Sequence, residues 1–295
     1  MTATTAKPAL FSSSAVLRCL LLLLLTLSCA ACSTTKGKGG AQPKPPEPKI
    51  VETEDKAVQI WRRFVARTDT AETMSGPFRI SANLRYTDDA GESTRVSALL
   101  WGNGESASPY PLRLDLVAGV GTVVAKARED ADSFMLYSPD EKTAYSHQGY
   151  DKTLSSFGVP IPLSLGNLTL LLTGRGGHLF RPTGAESASG VPQEHELTAK
   201  GATYTIPGAP LPGILELSSV GAPLAWRESN PKGWQMEFEP SELNPLQPRK
   251  VSMSHSTGYK AIIIVKELER VSPPYSSSRL SLALPPGTPV RPLNQ

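Results

Sequence analysis

His147, His178, His195 and His255 are the only imidazoles in the chain of 295 residues, and no two of them stand at a spacing that a metal ion could bridge. The three cysteines, Cys19, Cys29 and Cys32, all lie near the N-terminus. Everything after position 32 therefore has no disulfide, no thiol nucleophile and no sulfur ligand. Carboxylates come in pairs at Asp88-Asp89, Glu194/Glu196 and Glu237/Glu239. Those positions fall at hairpin turns or on alternate residues of strands, where solvated side chains belong, and acid-base chemistry is the weaker explanation. There is no G-x-S-x-G elbow, no phosphate loop and no G-x-G-x-x-G opening a helix. The expectation is a protein that is not an enzyme and needs no cofactor or metal.

The cysteines have a different use. Lys7 and Arg18 precede an apolar run from Cys19 to Leu27, and small residues follow it, which is the layout of an export signal. The run closes on "TLSCAACSTT", which resembles the processing site of bacterial lipoproteins, where an aliphatic residue and two small ones precede the modified cysteine. Cys32, behind Ala30 and Ala31, fits better than Cys29. Residues 1–31 are read as the signal, and Cys32 as the lipidated first residue of the mature chain; the alternative is an ordinary secretory cleavage or an uncleaved anchor. Residues 32–50, "CSTTKGKGGAQPKPPEPKI" apart from the thiol, are polar and rich in Gly and Pro, so they form a flexible tether with nothing to bury. A body on such a tether belongs at a membrane surface, and two or three acyl chains, at roughly 0.8 kcal/mol per buried CH2, make that anchoring stable.

The signal carries two of the 30 basic residues and none of the 27 acidic ones, so the mature protein is close to neutral. That argues against nucleic acid as a partner, because phosphate binding needs a concentrated positive field.

Residues 53–68 place Ala57, Ile60, Trp61, Phe64 and Val65 at helical spacing, with Glu54 and Asp55 in the first turn. After this helix the period drops to two. Phe78, Ile80, Ala82, Leu84 and Tyr86 alternate with polar residues, and the pattern recurs at 93–101, 111–117, 121–128, 132–137 and 142–146. A second series occupies 202–206, 213–218, 223–229, 233–239, 248–255 and 258–269. So many consecutive strands manage their edges most simply by curling into a barrel or part of one. The inward-type residues include Leu112, Leu114, Leu116, Trp234, Met236, Phe238, Ile262 and Ile264. Periodicity leaves open whether such a barrel is filled by its own side chains or encloses a ligand.

Between the two series lies "GVPIPLSLGNLTLLLTGRGG", residues 158–177. Pro160 and Pro162 keep its start extended, and Gly174 stands where a helix C-cap belongs. Leu165, Leu168 and Leu172 share one face of a helix of about twelve residues, or about 18 Å, which is too short to cross a bilayer. Such a helix is a lid on the curved sheet, or else completes a dry core.

This succession is similar to the outer-membrane lipoprotein receptor family LolB and its relatives of LolA/LolB-like fold. The likeness is carried by the lipoprotein signal, "GPFRISANLRY", "LRLDLVAGVGTVVAKA", "FMLYSPDEKTAY", the "GVPIPLSLGNLTLLLTG" block and a closing hairpin with "PRKVSMSH" and "YKAIIIVKEL". The resemblance implies a mainly β protein, an unclosed antiparallel β-barrel with an N-terminal helix and a short helical lid. That half-barrel would occupy residues 51–271. Beyond the last matching strand the chain departs from the family in a Pro-rich tail, 272–295, whose composition points to an edge strand at 279–284 and to disorder in the rest.

It further implies a monomer, lipid-anchored in the outer membrane and facing the periplasm, that takes lipoprotein acyl chains from a periplasmic carrier. Leu114, Leu116, Leu165, Leu168, Leu172, Trp234, Phe238 and Ile264 are the expected cavity lining. Val120, in the loop "AGVG", takes the position of the family's membrane-delivery tip. Other readings from different classes are a scaffolding envelope lipoprotein with a dry half-barrel and a carrier of another lipid.

Overall fold

A computed structural model describes residues 55–72, 76–104, 111–119, 121–149, 154, 159, 161–182 and 190–293. Helix α1 (Lys56–Glu72) starts after Asp55, whose Oδ1 accepts the Ala57 N–H at 2.8 Å. Asp55 is thus the N-cap, and the helix begins three residues later than its periodicity indicates because the capping carboxylate stands outside the first turn. Hydrogen bonds from Ala57 and then His195 hold the Asp55 carboxyl below the usual carboxylate range.

Six strands follow as an antiparallel meander: β1 (Phe78–Thr87), β2 (Ser93–Gly102), β3 (Leu112–Ala118), β4 (Thr122–Glu129), β5 (Ser133–Ser138) and β6 (Thr143–Gln148). Helices α2 (Leu165–Leu172) and α3 (Gly177–Phe180) interrupt it. A second meander comprises β7 (His195–Leu197), β8 (Gly201–Ile206), β9 (Gly213–Ser218), β10 (Pro223–Arg227), β11 (Trp234–Pro240), β12 (Pro248–His255) and β13 (Lys260–Arg270). Each strand lies where its alternation places it, within a few residues. The exception is β7, whose three residues are too few to show a period.

Antiparallel pairing of β13 with β1 over their full lengths joins the two meanders into one unclosed sheet of 14 strands. With the C-terminal strand β14 (Val290–Pro292) at one edge, its order is β14-β6-β5-β4-β3-β2-β1-β13-β12-β11-β10-β9-β8-β7. The fold is therefore mainly β, an open half-barrel with few helices. Residues 52–295 form one unit. Among the described residues no helix is long and apolar enough to cross a membrane.

The C-terminal tail departs from expectation. Asn103 and Tyr275 exchange two hydrogen bonds, Asn103 Nδ2 to the Tyr275 carbonyl and the Tyr275 N–H to Asn103 Oδ1, each 2.8 Å. Leu280, at the end of the short helix α4 (Ser277–Leu280), is buried. The chain then reaches the far edge of the first meander as β14 (Val290–Pro292), parallel to β6. The edge strand is thus at 290–292 and not at 279–284, and most of the tail is ordered by contacts that its Pro-rich composition does not display.

One half of the sheet is covered by α1 and filled largely by bulky side chains, with a pocket of about 290 Å³ beside Trp61 and Val65 at its margin. The apolar face of α1 lies over β8 and β9, with Trp61 4.9 Å from Tyr204 and 5.2 Å from Phe64, ring centre to ring centre. The Tyr204 hydroxyl donates to the Ala57 carbonyl at 2.6 Å, and burial pushes the Tyr204 phenol above its ordinary range. Leu215, Leu217, Trp226, Met236 and Val251 complete this core.

A lidded apolar cavity as the candidate functional site

The other half of the sheet differs because four of its inward residues, Ala82, Ala98, Ala125 and Ala127, are small among leucines and isoleucines. Ala82 on β1 stands directly opposite Ala98 on β2, Ala98 opposite Leu116 on β3, and Leu116 opposite Ala125 on β4. One step along, Leu114 faces Ala127. The alanines of β1, β2 and β4 leave a trough beside the taller Leu114 and Leu116 of β3. Residues Leu154, Val159, Ile161, Leu168 and Leu172 close over it. The cavity is about 40 Å³, and every side chain lining it is Ala, Val, Leu or Ile. Such a lining offers water no hydrogen bond and is compatible with apolar groups alone. It is too small for an acyl chain, because the aliphatic side chains of Leu154, Val159, Ile161, Leu168 and Leu172 occupy the trough.

The lid is held at both ends. Ser164 caps α2 by accepting the Asn167 N–H at 3.1 Å. The more telling contact comes from the sheet: the Glu129 carboxylate at the end of β4 accepts the Leu165 N–H at 2.9 Å and the Gly166 N–H at 3.0 Å. Glu129 is only 1% exposed. A carboxylate on the first turn of a helix satisfies donors that otherwise have no partner and sits at the positive end of the helix dipole. Glu129 therefore latches the lid to the sheet, and lifting α2 removes two charge-assisted hydrogen bonds from a buried anion.

At the other end Gly174 has φ +81°, a left-handed conformation suited to glycine, and the loop between β11 and β12 closes against it. A Cβ at Gly174 would stand 3.1 Å from Asn244 Nδ2 and 3.4 Å from the backbone of Gln247. Leu246 of the same loop packs beside Leu171. The helix has eight residues rather than about twelve, because the chain turns at Thr173 and Gly174 and restarts as α3.

The expected lining residues divide between the halves. Leu114, Leu116, Leu168 and Leu172 line the cavity. Leu165 is fully buried at the helix start but lies outside the lining. Phe238 and Trp234 sit in the packed half, Phe238 with its ring edge toward Phe180 at 6.0 Å and Trp234 5.1 Å from the His255 ring. Ile264 is 38% exposed on the opposite face, and Ile263 lines the cavity in its place. Three successive isoleucines, 262–264, carry no alternation. A bulge between Ser81/Ala82 then shifts the register of β13 against β1, so the inward set is Ala261 and Ile263. Val120 and Cys32 lie outside the described residues.

The sequence reading missed Glu129 and the alanine trough. The available signal for Glu129 was a charge at an inward position of β4, in phase with Ala125 and Ala127.

Among the described residues no cluster of three or more His, Cys, Asp or Glu is arranged to hold a metal ion.

No family model matches the chain, and no curated protein matches its sequence. Solved structures do resemble it. One is a LolA superfamily protein from Nitrosomonas europaea, at 8% identity and TM-score 0.48, covering 72% of this chain and 94% of that one. Another is a DUF1329 family protein from Desulfovibrio piger, at 14% identity and TM-score 0.46, covering 77% and 98%. A third is a candidate outer membrane lipoprotein-sorting protein domain from Vibrio parahaemolyticus, at 11% identity and TM-score 0.42, covering 76% and 96%.

Proposed function

We propose that this protein is a lipid-anchored envelope lipoprotein that binds acyl chains in the trough beneath α2 and takes part in placing lipoproteins in the outer membrane, as a LolB-like receptor does. The observation that carries the reading is the wholly aliphatic cavity, lidded by leucines and floored by alanines. The energetics favour an exchange. An acyl chain burying about fourteen methylenes at about 0.8 kcal/mol each gains on the order of 11 kcal/mol. Re-exposing three to five lid side chains at roughly 1.5–3 kcal/mol each costs a similar amount. Cargo and lid thus compete for one trough at near balance, so small differences in the cargo's alternative surroundings decide uptake or release. A membrane that buries the chains better than the trough does drives transfer out of it.

In this reading Cys32 carries the anchor, a periplasmic carrier supplies the cargo, and Val120 is the tip that meets the membrane. Lipid extraction and mass spectrometry of the purified protein test the central claim. Acylated molecules recovered in stoichiometric amount are expected. A protein that is empty and takes up no acylated peptide when it is offered overturns the reading in favour of a dry scaffold. A Val120→Glu variant that sorts lipoproteins normally in a depleted strain would remove the delivery role from that loop.

A further inference from the structure

The closed cavity continues outward. A groove of about 440 Å³ shares Leu116, Ala125, Leu136 and Val159 with it and runs to the edge of the sheet. The last wall of this groove comes from the C-terminal tail. Strand β14 is fixed along β6 by the Ala144 N–H donating to the Pro289 carbonyl at 2.9 Å and the Leu293 N–H donating to the Ser146 carbonyl at 2.8 Å. In this register Arg291 pairs with Tyr145, which pairs with Leu136, which pairs with Ala127. Arg291 and Leu293 therefore share the cavity side of the sheet, and Leu293 lines the groove.

The outer rim is polar. The Tyr145 hydroxyl donates to Glu141 Oε2 at 2.5 Å, and both residues line the groove. The hydrogen bond to Glu141 raises the Tyr145 pKa and the nearby positive charge of Arg291 works against it, so a carboxylate and a guanidinium flank one phenol. An apolar bore that ends in adjoining opposite charges complements an amphiphile of the same layout.

We infer that β14 is a wall of the lipid's entrance and that Glu141, Tyr145 and Arg291 receive a zwitterionic polar end, with ammonium toward Glu141 and phosphate toward Arg291. Leu293 continues the apolar lining along the first methylenes. This inference rests on the acyl-chain reading above and goes beyond it, because it assigns a lipid-facing role to the C-terminal tail and a charge pattern to the ligand.

Calorimetric titration of the purified full chain with lysophosphatidylethanolamine and with palmitate tests it. The zwitterionic lipid is expected to bind about tenfold more tightly than palmitate. Leu293→Glu should weaken both lipids about tenfold, Leu293→Met should restore binding, and the thermal midpoint should move little because Leu293 stands at the end of the sheet edge. The double variant Glu141→Gln, Arg291→Gln should bring the two lipids to within about threefold of each other. Unchanged affinity in Leu293→Glu, or equal binding of the two lipids by the unmodified chain, overturns the inference while leaving the acyl-chain reading standing. Binding of neither lipid sinks both.

Discussion

The two halves of the sheet have the same architecture and opposite interiors. Beneath α1, inward positions of the sheet hold Tyr204, Trp226 and Met236, and α1 lays Trp61 and Phe64 against them, each almost fully buried. Beneath α2, the corresponding positions hold Ala82, Ala98, Ala125 and Ala127, and a cavity remains. The covering elements differ in attachment as well. Helix α1 is tied down by large aromatic contacts, whereas α2 is tied at its ends, by Glu129 and by the loop at Gly174, and lays removable leucines between them. Residue size at alternate positions thus separates a foundation from a container in one continuous sheet.

That contrast can be broken at several points. The largest effect is expected in the foundation. Phe64→Ala should cost about 3–5 kcal/mol in urea unfolding, since the aromatic packing around it cannot collapse into the space. Leu168→Ala, beside an existing cavity, should cost distinctly less. Equal losses would mean that the halves are packed alike.

Next is the latch. Glu129→Ala should destabilise by about 1–2 kcal/mol, the usual range for a lost helix cap, and its signature is local. Hydrogen exchange of the Leu165 and Gly166 amides should speed up while the amides of α1 keep their protection, and slow exchange at both lid amides would show that the carboxylate does not hold it.

Filling the trough separates binding from folding. Ala127→Leu should lower acyl-chain affinity by about tenfold or more, with a stability change below about 3 kcal/mol. Undiminished binding would place the ligand elsewhere.

The smallest effect concerns alkaline pH. Burial, and secondarily the negative charge of Asp55, raise the Tyr204 pKa in the folded state. The folded protein therefore resists losing this proton, while the unfolded chain loses it at about pH 10. The contribution is complete below that pH and is lost as pH rises above it. Tyr204→Phe should cost about 1 kcal/mol at neutral pH through the lost hydrogen bond to Ala57, and should flatten the decline in stability above pH 10. An unaltered alkaline limb would assign that decline to other tyrosines.

How much of this was legible beforehand varies with the range of the interaction responsible. Strands β1 to β6 and β8 to β13 show themselves in alternation, because one face of each is buried and the period is two whatever the strand pairs with. The lid helix shows itself in Pro, Ser164 and Gly174, which are local signals. Ile264 was misplaced because a bulge and a run of three isoleucines hide the phase. The trough was not legible because an alanine marks a cavity only when another small residue stands opposite it, and the pairing of Ala82 with Ala98 is a fact of register. Strand β14 was hidden in a composition that resembles a disordered tail.

By itself, the sequence determined the local periods, the glycine stop of the lid helix, the confinement of cysteine to the first 32 residues, and the apolar supply from which any core must be made. Tertiary structure alone decided that β1 and β13 join the meanders, that Glu129 meets the first turn of α2, and that Leu293 reaches the cavity mouth. The reason is physical. A period or a cap is an interaction among neighbours in the chain, whereas a cavity is the space left over when distant residues have finished packing.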